Sequence, residues 1–118
     1  MRDWKKITVW DLSHQFFLEI YKVTAAFPKE EVYNLTSQLR RASLSIPTNI
    51  VEGAGRESEA EFVRFLVIAQ SSSNEVQYLL LAAKDLNYFN NEKYVDLDDK
   101  VDKIKRMLFN LCKKIRNN

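Results

Sequence analysis

Asp98 and Asp102 in DDKVD stand four residues apart, a spacing at which two carboxylates on one helix face can share a cation. The pattern matches the aspartate-rich motif that holds magnesium diphosphate in all-α prenyl-transferring enzymes. Those enzymes need a much larger cavity and a second metal motif, and this chain has neither. The expected role is a solvated first turn of a helix, where the dipole favours acids. LRRASL, Leu39 to Leu44, is the consensus of a basophilic serine kinase, with Ser43 as acceptor. Such kinases bind the motif extended, whereas here it falls inside a helical pattern bordering the core. A di-iron bundle needs two Glu-x-x-His motifs. The only histidine, His14, is expected to make an interhelical polar contact instead. Cys112 follows Leu111 on an apolar seam and reads as a small packing residue. No Gly-rich phosphate loop is present. No catalytic set, metal site or cofactor site emerges.

The remaining chemistry is charge. The net charge is only +2, so the chain as a whole makes no electrostatic case for nucleic acid. Its distribution says more. From Lys103 onward the chain holds Lys103, Lys105, Arg106, Lys113, Lys114 and Arg116 and no acid, while EKYVDLDDKVD just upstream is mostly acidic. The helix dipole accounts for that order, acids first and bases last. A basic tip contacting phosphate is the alternative to that simpler account.

These residues must be positioned by something, and composition indicates helices. Hydrophobic residues make up 46% and charged residues 29%, as in a folded globular domain. Two glycines and two prolines are too few for many short strands and turns. One cysteine excludes an internal disulfide. The first residues lack the apolar core of a signal peptide, and no run approaches a membrane span. The expectation is one cytoplasmic domain, residues 1–118.

Val9, Leu12, Phe16, Ile20, Val23 and Phe27 recur at three and four, predicting a first helix over residues 8–26 that Pro28 ends. The second covers SQLRRASLSIPTNIVEGAGR, with Thr36 or Ser37 as its cap and Gly53 or Gly55 as a left-handed stop. Ser58 with Glu61 forms a capping box for a third helix that reaches Asp85. Leu97, Val101, Ile104, Leu108, Leu111 and Ile115 form the heptad seam of a fourth. Four amphipathic helices with short turns and no strand pattern predict an all-α, antiparallel up-down four-helix bundle.

At about 100° per residue the second helix resolves into three stripes. Leu35, Leu39, Ala42, Ile46, Ile50 and Gly53 form the core stripe, and Gln38, Arg41, Ser45, Asn49 and Glu52 a polar seam beside it. Arg40, Leu44, Pro47 and Val51 lie on the other flank, partly apolar again. A lone bundle needs one apolar stripe. The second, with Pro47 expected to kink the helix, predicts packing on another subunit. Arg41, Leu44, Ser45, Pro47, Asn49, Val51 and Glu52 are the candidate interface, with Glu61 and Glu75 as candidate partners for the arginines.

The run from Leu35 to Val76, LTSQLRRASLSIPTNIVEGAGRESEAEFVRFLVIAQSSSNEV, closely resembles the signature of the four-helix-bundle family encoded by intervening sequences of bacterial 23S rRNA genes, often labelled S23 ribosomal protein. The likeness extends through VWDLSHQFFLEIYKVTAAFPKEE and covers nearly the whole chain. Val51 replaces a usual Ala, and Ser71 stands where Gly is common. The resemblance implies a homopentamer without known enzymatic activity. A related branch is the accessory protein of diversity-generating retroelements, in which a basic bundle pentamer binds nucleic acid and a reverse transcriptase.

Residues and resemblance together predict a non-enzymatic homo-oligomer that binds RNA or DNA through Arg40, Arg56, Lys103, Lys105, Arg106, Lys113, Lys114 and Arg116. The competing expectation is a scaffold that docks another protein, its basic residues serving only subunit salt bridges.

Overall fold

The computed structural model describes residues 2–118. Four helices follow one another, α1 Thr8–Thr24, α2 Leu35–Ala54, α3 Glu59–Asp85 and α4 Asn91–Arg116, with single 3-10 turns at Trp4–Lys6 and Lys29–Glu31. No strand occurs among the described residues. Successive helices pack side by side, α4 returns to touch α1 lightly, and the diagonal pairs do not meet. The result is an elongated four-helix bundle of 46 × 23 × 19 Å.

The predicted apolar positions form its core. Phe16 and Ile20 of α1, Leu39, Ile46 and Ile50 of α2, Leu66, Val76 and Leu80 of α3, and Leu97, Val101, Ile104 and Leu108 of α4 are buried in one cluster. Burying large side chains of this kind contributes about 1.5–3 kcal/mol each, the main favourable term of folding. Leu111 is only partly covered, and Cys112 takes the buried place beside Ile115. Burial pushes the Cys112 thiol above its ordinary pKa, which suits packing and not nucleophilic chemistry.

The helix ends depart from expectation. Asn34, not Thr36 or Ser37, precedes α2, and it supplies no side-chain cap. Thr36 is instead buried with its hydroxyl unpaired. Neither glycine is left-handed. Gly55 caps α2 in right-handed geometry, its N–H turned back to the carbonyls of Val51 and Glu52 while the Arg56 N–H takes that of Gly53, and the left-handed residue among those described is Asn87 (φ 63°). Half of the capping box forms, Ser58 Oγ accepting from the Glu61 N–H at 3.1 Å.

The helix α2 is continuous through Pro47. Pro47 lacks an N–H and leaves the Ser43 carbonyl without its helical donor. Neighbouring polar side chains bond the next two carbonyls. Thr48 Oγ1 donates to the Leu44 carbonyl at 2.8 Å, and Asn49 Nδ2 to that of Ser45 at 2.8 Å. Thr48 and Asn49 thus serve the backbone around the proline, which is why they interrupt an otherwise apolar helix.

Trp4 is half-buried and meets Trp10 edge-on, ring centroids 4.7 Å apart. One expectation at the start of the chain is corrected. His14 stacks on Trp10 of its own helix at 5.5 Å, so its contact is aromatic and not an interhelical polar one.

Candidate functional site

The acid pattern Asp98/Asp102 is occupied by a side chain. Gln77 Nε2 donates to Asp98 at 3.1 Å and to Asp102 at 2.8 Å, while its Oε1 accepts from Lys105 Nζ at 2.8 Å. One amide therefore ties α3 to α4, with both carboxylates turned to it. No group of three or more His, Cys, Asp or Glu side chains among the described residues is arranged to hold a metal. Ser43 is fully buried and cannot be offered to a kinase in the folded chain.

The six α4 cations do not form one tip. Lys103 lies midway along the 26-residue helix, beside Leu12 and Gln15 of α1. Lys114 also faces α1, where with Arg2 and Lys6 it rims a cleft of about 540 Å³ floored by Ile7, Phe62, Met107 and Leu111. Lys105 and Arg116 lean to the α3 side, Lys105 on Gln77 and Arg116 beside Glu59, Ala60 and Val63. Arg106 and Lys113 are exposed. Helical geometry sets Arg106 and Lys113 beside Lys105 and Arg116 on the outward strip of α4, and Lys103 with Lys114 on the other. None of the six makes an ion pair among the described residues.

The two other arginines part company. The end of α2 meets the start of the chain, the Arg2 N–H donating to the Ala54 carbonyl at 2.9 Å. Arg56 therefore stands at the same end as the last turn of α4, exposed and 4.7 Å above the Phe65 ring. Arg40 sits about 24 Å back along α2 and is tied to α1. Its Nε donates to Thr24 Oγ1 at 2.8 Å, its Nη2 to the Tyr21 carbonyl at 3.2 Å, and its guanidinium lies 3.8 Å over the Tyr21 ring. Arg40 fastens α1 to α2.

The polar seam of α2 divides as well. Ser45 and Asn49 are half-buried and satisfied within the chain, Ser45 Oγ lying 2.9 Å from Ser72 Oγ of α3 and accepting from Asn49 at 3.0 Å. Gln38, Arg41 and Glu52 are exposed. Arg41 shares a shallow cleft with Glu75 but forms no ion pair with it, and Glu61 pairs with Arg64 at 3.8 Å. On the opposite flank Pro47 is buried, Val51 half-buried and Leu44 46% exposed. Tyr21 and Phe17 of α1 stack edge-on nearby, at 5.8 Å.

Sequence reasoning passed over Phe109, which is 59% exposed among the α4 cations. Its signal is an aromatic off the seam of Leu108 and Leu111. The cleft at Arg2 and Lys6 was also missed, because it joins the start of the chain to its last turn.

No helix among the described residues is long and apolar enough to cross a membrane. A search of curated proteins gives no match. Among solved structures the chain is similar to a protein of unknown function from the S23 ribosomal protein family of Bacteroides thetaiotaomicron VPI-5482. The two are 28% identical, with a TM-score of 0.80 over 89% of this chain and 98% of that one. The family model described as 23S rRNA-intervening sequence protein matches residues 5–110, and the chain belongs to that family.

Proposed function

We propose that the chain is a non-enzymatic, cytoplasmic subunit that assembles with copies of itself, as a pentamer, and binds RNA or DNA through its basic surfaces. The observation that carries the nucleic-acid part is the acid-free segment 103–118, whose six cations make no ion pairs among the described residues. Unneutralised cations on a rigid helix favour phosphate, and a ring of subunits multiplies weak contacts through effective concentration. Support for assembly comes from the second strip of α2, where Leu44 is left 46% exposed one turn from Arg40, whose guanidinium covers the 50% exposed Tyr21.

A salt titration tests it. Labelled RNA and DNA should bind at low salt, with little sequence preference, and affinity should fall steeply as salt rises. Absence of binding at low salt removes this reading. Light scattering should report a multiple of the 13.9 kDa chain.

A specific observation favours a second reading, a scaffold that docks another protein. The outer face of α3 carries Val67, Ile68, Tyr78 and Leu81, all exposed. Salt-insensitive capture of a polypeptide, without nucleic-acid binding, would select it.

A further inference from the structure

Phe109 is the most exposed large apolar side chain of α4, ahead of Val95 about four turns back, and burial of the core does not require it. A phenyl ring left this open loses the gain that burial ordinarily brings it. Its surroundings are cationic. Lys105 and Lys113 lie one turn to either side, Arg106 three residues before and Arg116 seven after, all within about 16 Å of helix.

The neighbouring wall of α3 is neutral over residues 62–74, with Glu59, paired to Arg2, beside Arg116 at one end and Glu75 at the other. Gln70 Nε2 reaches Cys112 Sγ at 3.4 Å and Gln77 reaches Lys105 at 2.8 Å, which sets α3 antiparallel to α4 with Ser73 and Asn74 level with Phe109. Residues 62–74 of α3 and 103–118 of α4 contain no acid. The carboxylate nearest to Phe109 along α4, Asp102, lies two turns back and accepts from Gln77. From residue 103 onward the ring has four cations and no carboxylate beside it on α4, and Asp102, on the same strip seven residues back, is held by Gln77, which equips the ring for an aromatic face carried on an anionic backbone.

We infer that this strip of α4 takes a single strand of nucleic acid, with Phe109 stacking on a base and Lys105, Arg106, Lys113 and Arg116 meeting the flanking phosphates. The inference rests on the nucleic-acid reading above and narrows it. A duplex keeps its base faces inside the stack and can use only the cations, whereas a single strand offers both phosphate and a free face. A two-fold contact between copies would set the same four cations against one another. Lys105 retains donors for phosphate, since its bond to Gln77 uses one of three.

The test is fluorescence anisotropy of the full chain with labelled oligothymidylate, oligouridylate and a short mixed-sequence duplex, at low and moderate salt. The wild type should bind both single strands more tightly than the duplex. Phe109→Ala should weaken the strands by about five- to a hundredfold, as expected when one base loses its stacking partner, and leave the duplex unchanged. Phe109→Trp should restore strand binding, and Lys113→Gln with Arg116→Gln should weaken strand and duplex alike. Circular dichroism and light scattering accompany each variant. Unchanged strand binding by Phe109→Ala overturns the stacking role and leaves the basic surface standing. A fall in oligomer mass for Phe109→Ala overturns it in favour of a contact with a second copy. Wild-type protein that binds neither strand nor duplex at low salt overturns this inference together with the reading beneath it.

Discussion

Gly53 of α2 and Phe65 of α3 touch so closely that a β-carbon built on the glycine would lie 2.8 Å from Phe65 Cβ, with Phe62 Cδ1 at 2.9 Å and the Phe62 carbonyl oxygen at 3.2 Å. The glycine is there to let two backbones approach, not to stop a helix. Gly53→Ala gains about 1 kcal/mol of helix propensity and incurs about 1–3 kcal/mol of overpacking. Because one obstacle is backbone and another the root of a side chain, the overpacking should win. Urea unfolding should show a lower midpoint for Gly53→Ala, and an unchanged or higher midpoint would refute the tight contact.

Arg40 fastens two helices, so its removal should be felt in stability and not in ligand binding. Loss of its bonds to Thr24 and the Tyr21 carbonyl and of its place over the Tyr21 ring should cost about 1–2 kcal/mol for this half-buried group. Thermal unfolding of Arg40→Ala measures the first effect. A nucleic-acid titration, expected to match wild type, measures the second.

Glu19 joins α1 to α4 through Lys93 at 2.7 Å and Lys100 at 2.8 Å. Burial pushes its carboxyl pKa up, but hydrogen bonds from Lys100 and Lys93 and their charge outweigh this and hold it below the usual 4.5. A lowered carboxyl contributes stability that is present above the unfolded value and lost as pH falls through the folded one. Lys100 is raised from 10.5, chiefly by its bond to Glu19, so its share persists until pH rises through that higher value. Wild type should therefore melt above Glu19→Gln at neutral pH, and the gap should close on acidification below about pH 4.5. A gap that stays constant down to pH 2 would show the pair is not the cause.

Ser43 has a fully buried hydroxyl without a partner. Ser43→Ala removes an unpaired polar group and leaves a small void, so stability should change by less than about 1 kcal/mol. The same burial means that a basophilic kinase should phosphorylate a peptide of residues 37–47 but not the folded chain. Mass spectrometry after identical treatment of both decides it.

Leu44 is exposed on the second strip of α2. If that strip meets another subunit, Leu44→Glu should lower the mass in sedimentation while far-ultraviolet circular dichroism stays at the wild-type level. Loss of helicity would instead place Leu44 in the fold of the single chain.

The sequence by itself determined the four helices and the core, because 3.6-residue periodicity is local and burial follows from it. Leu39, Ile46 and Ile50, or Leu97, Val101 and Ile104, repeat at intervals that only one helix face can satisfy. The family signature was legible for the same reason, being a continuous run. Tertiary structure alone decided what each polar residue does. Arg40 and Arg41 are neighbours in sequence with the same chemistry, yet one is bound to Thr24 and Tyr21 and the other is exposed without an ion pair, since 100° of helix turn separates them. Gly53 read as a stop because its role depends on Phe62 and Phe65, which belong to the next helix. The α4 cations read as one tip because a linear run does not show which side of a helix faces α1 and which faces α3. Those assignments arise only when helices pack, for a side chain's partner is fixed by distances across the bundle and not by its place along the chain.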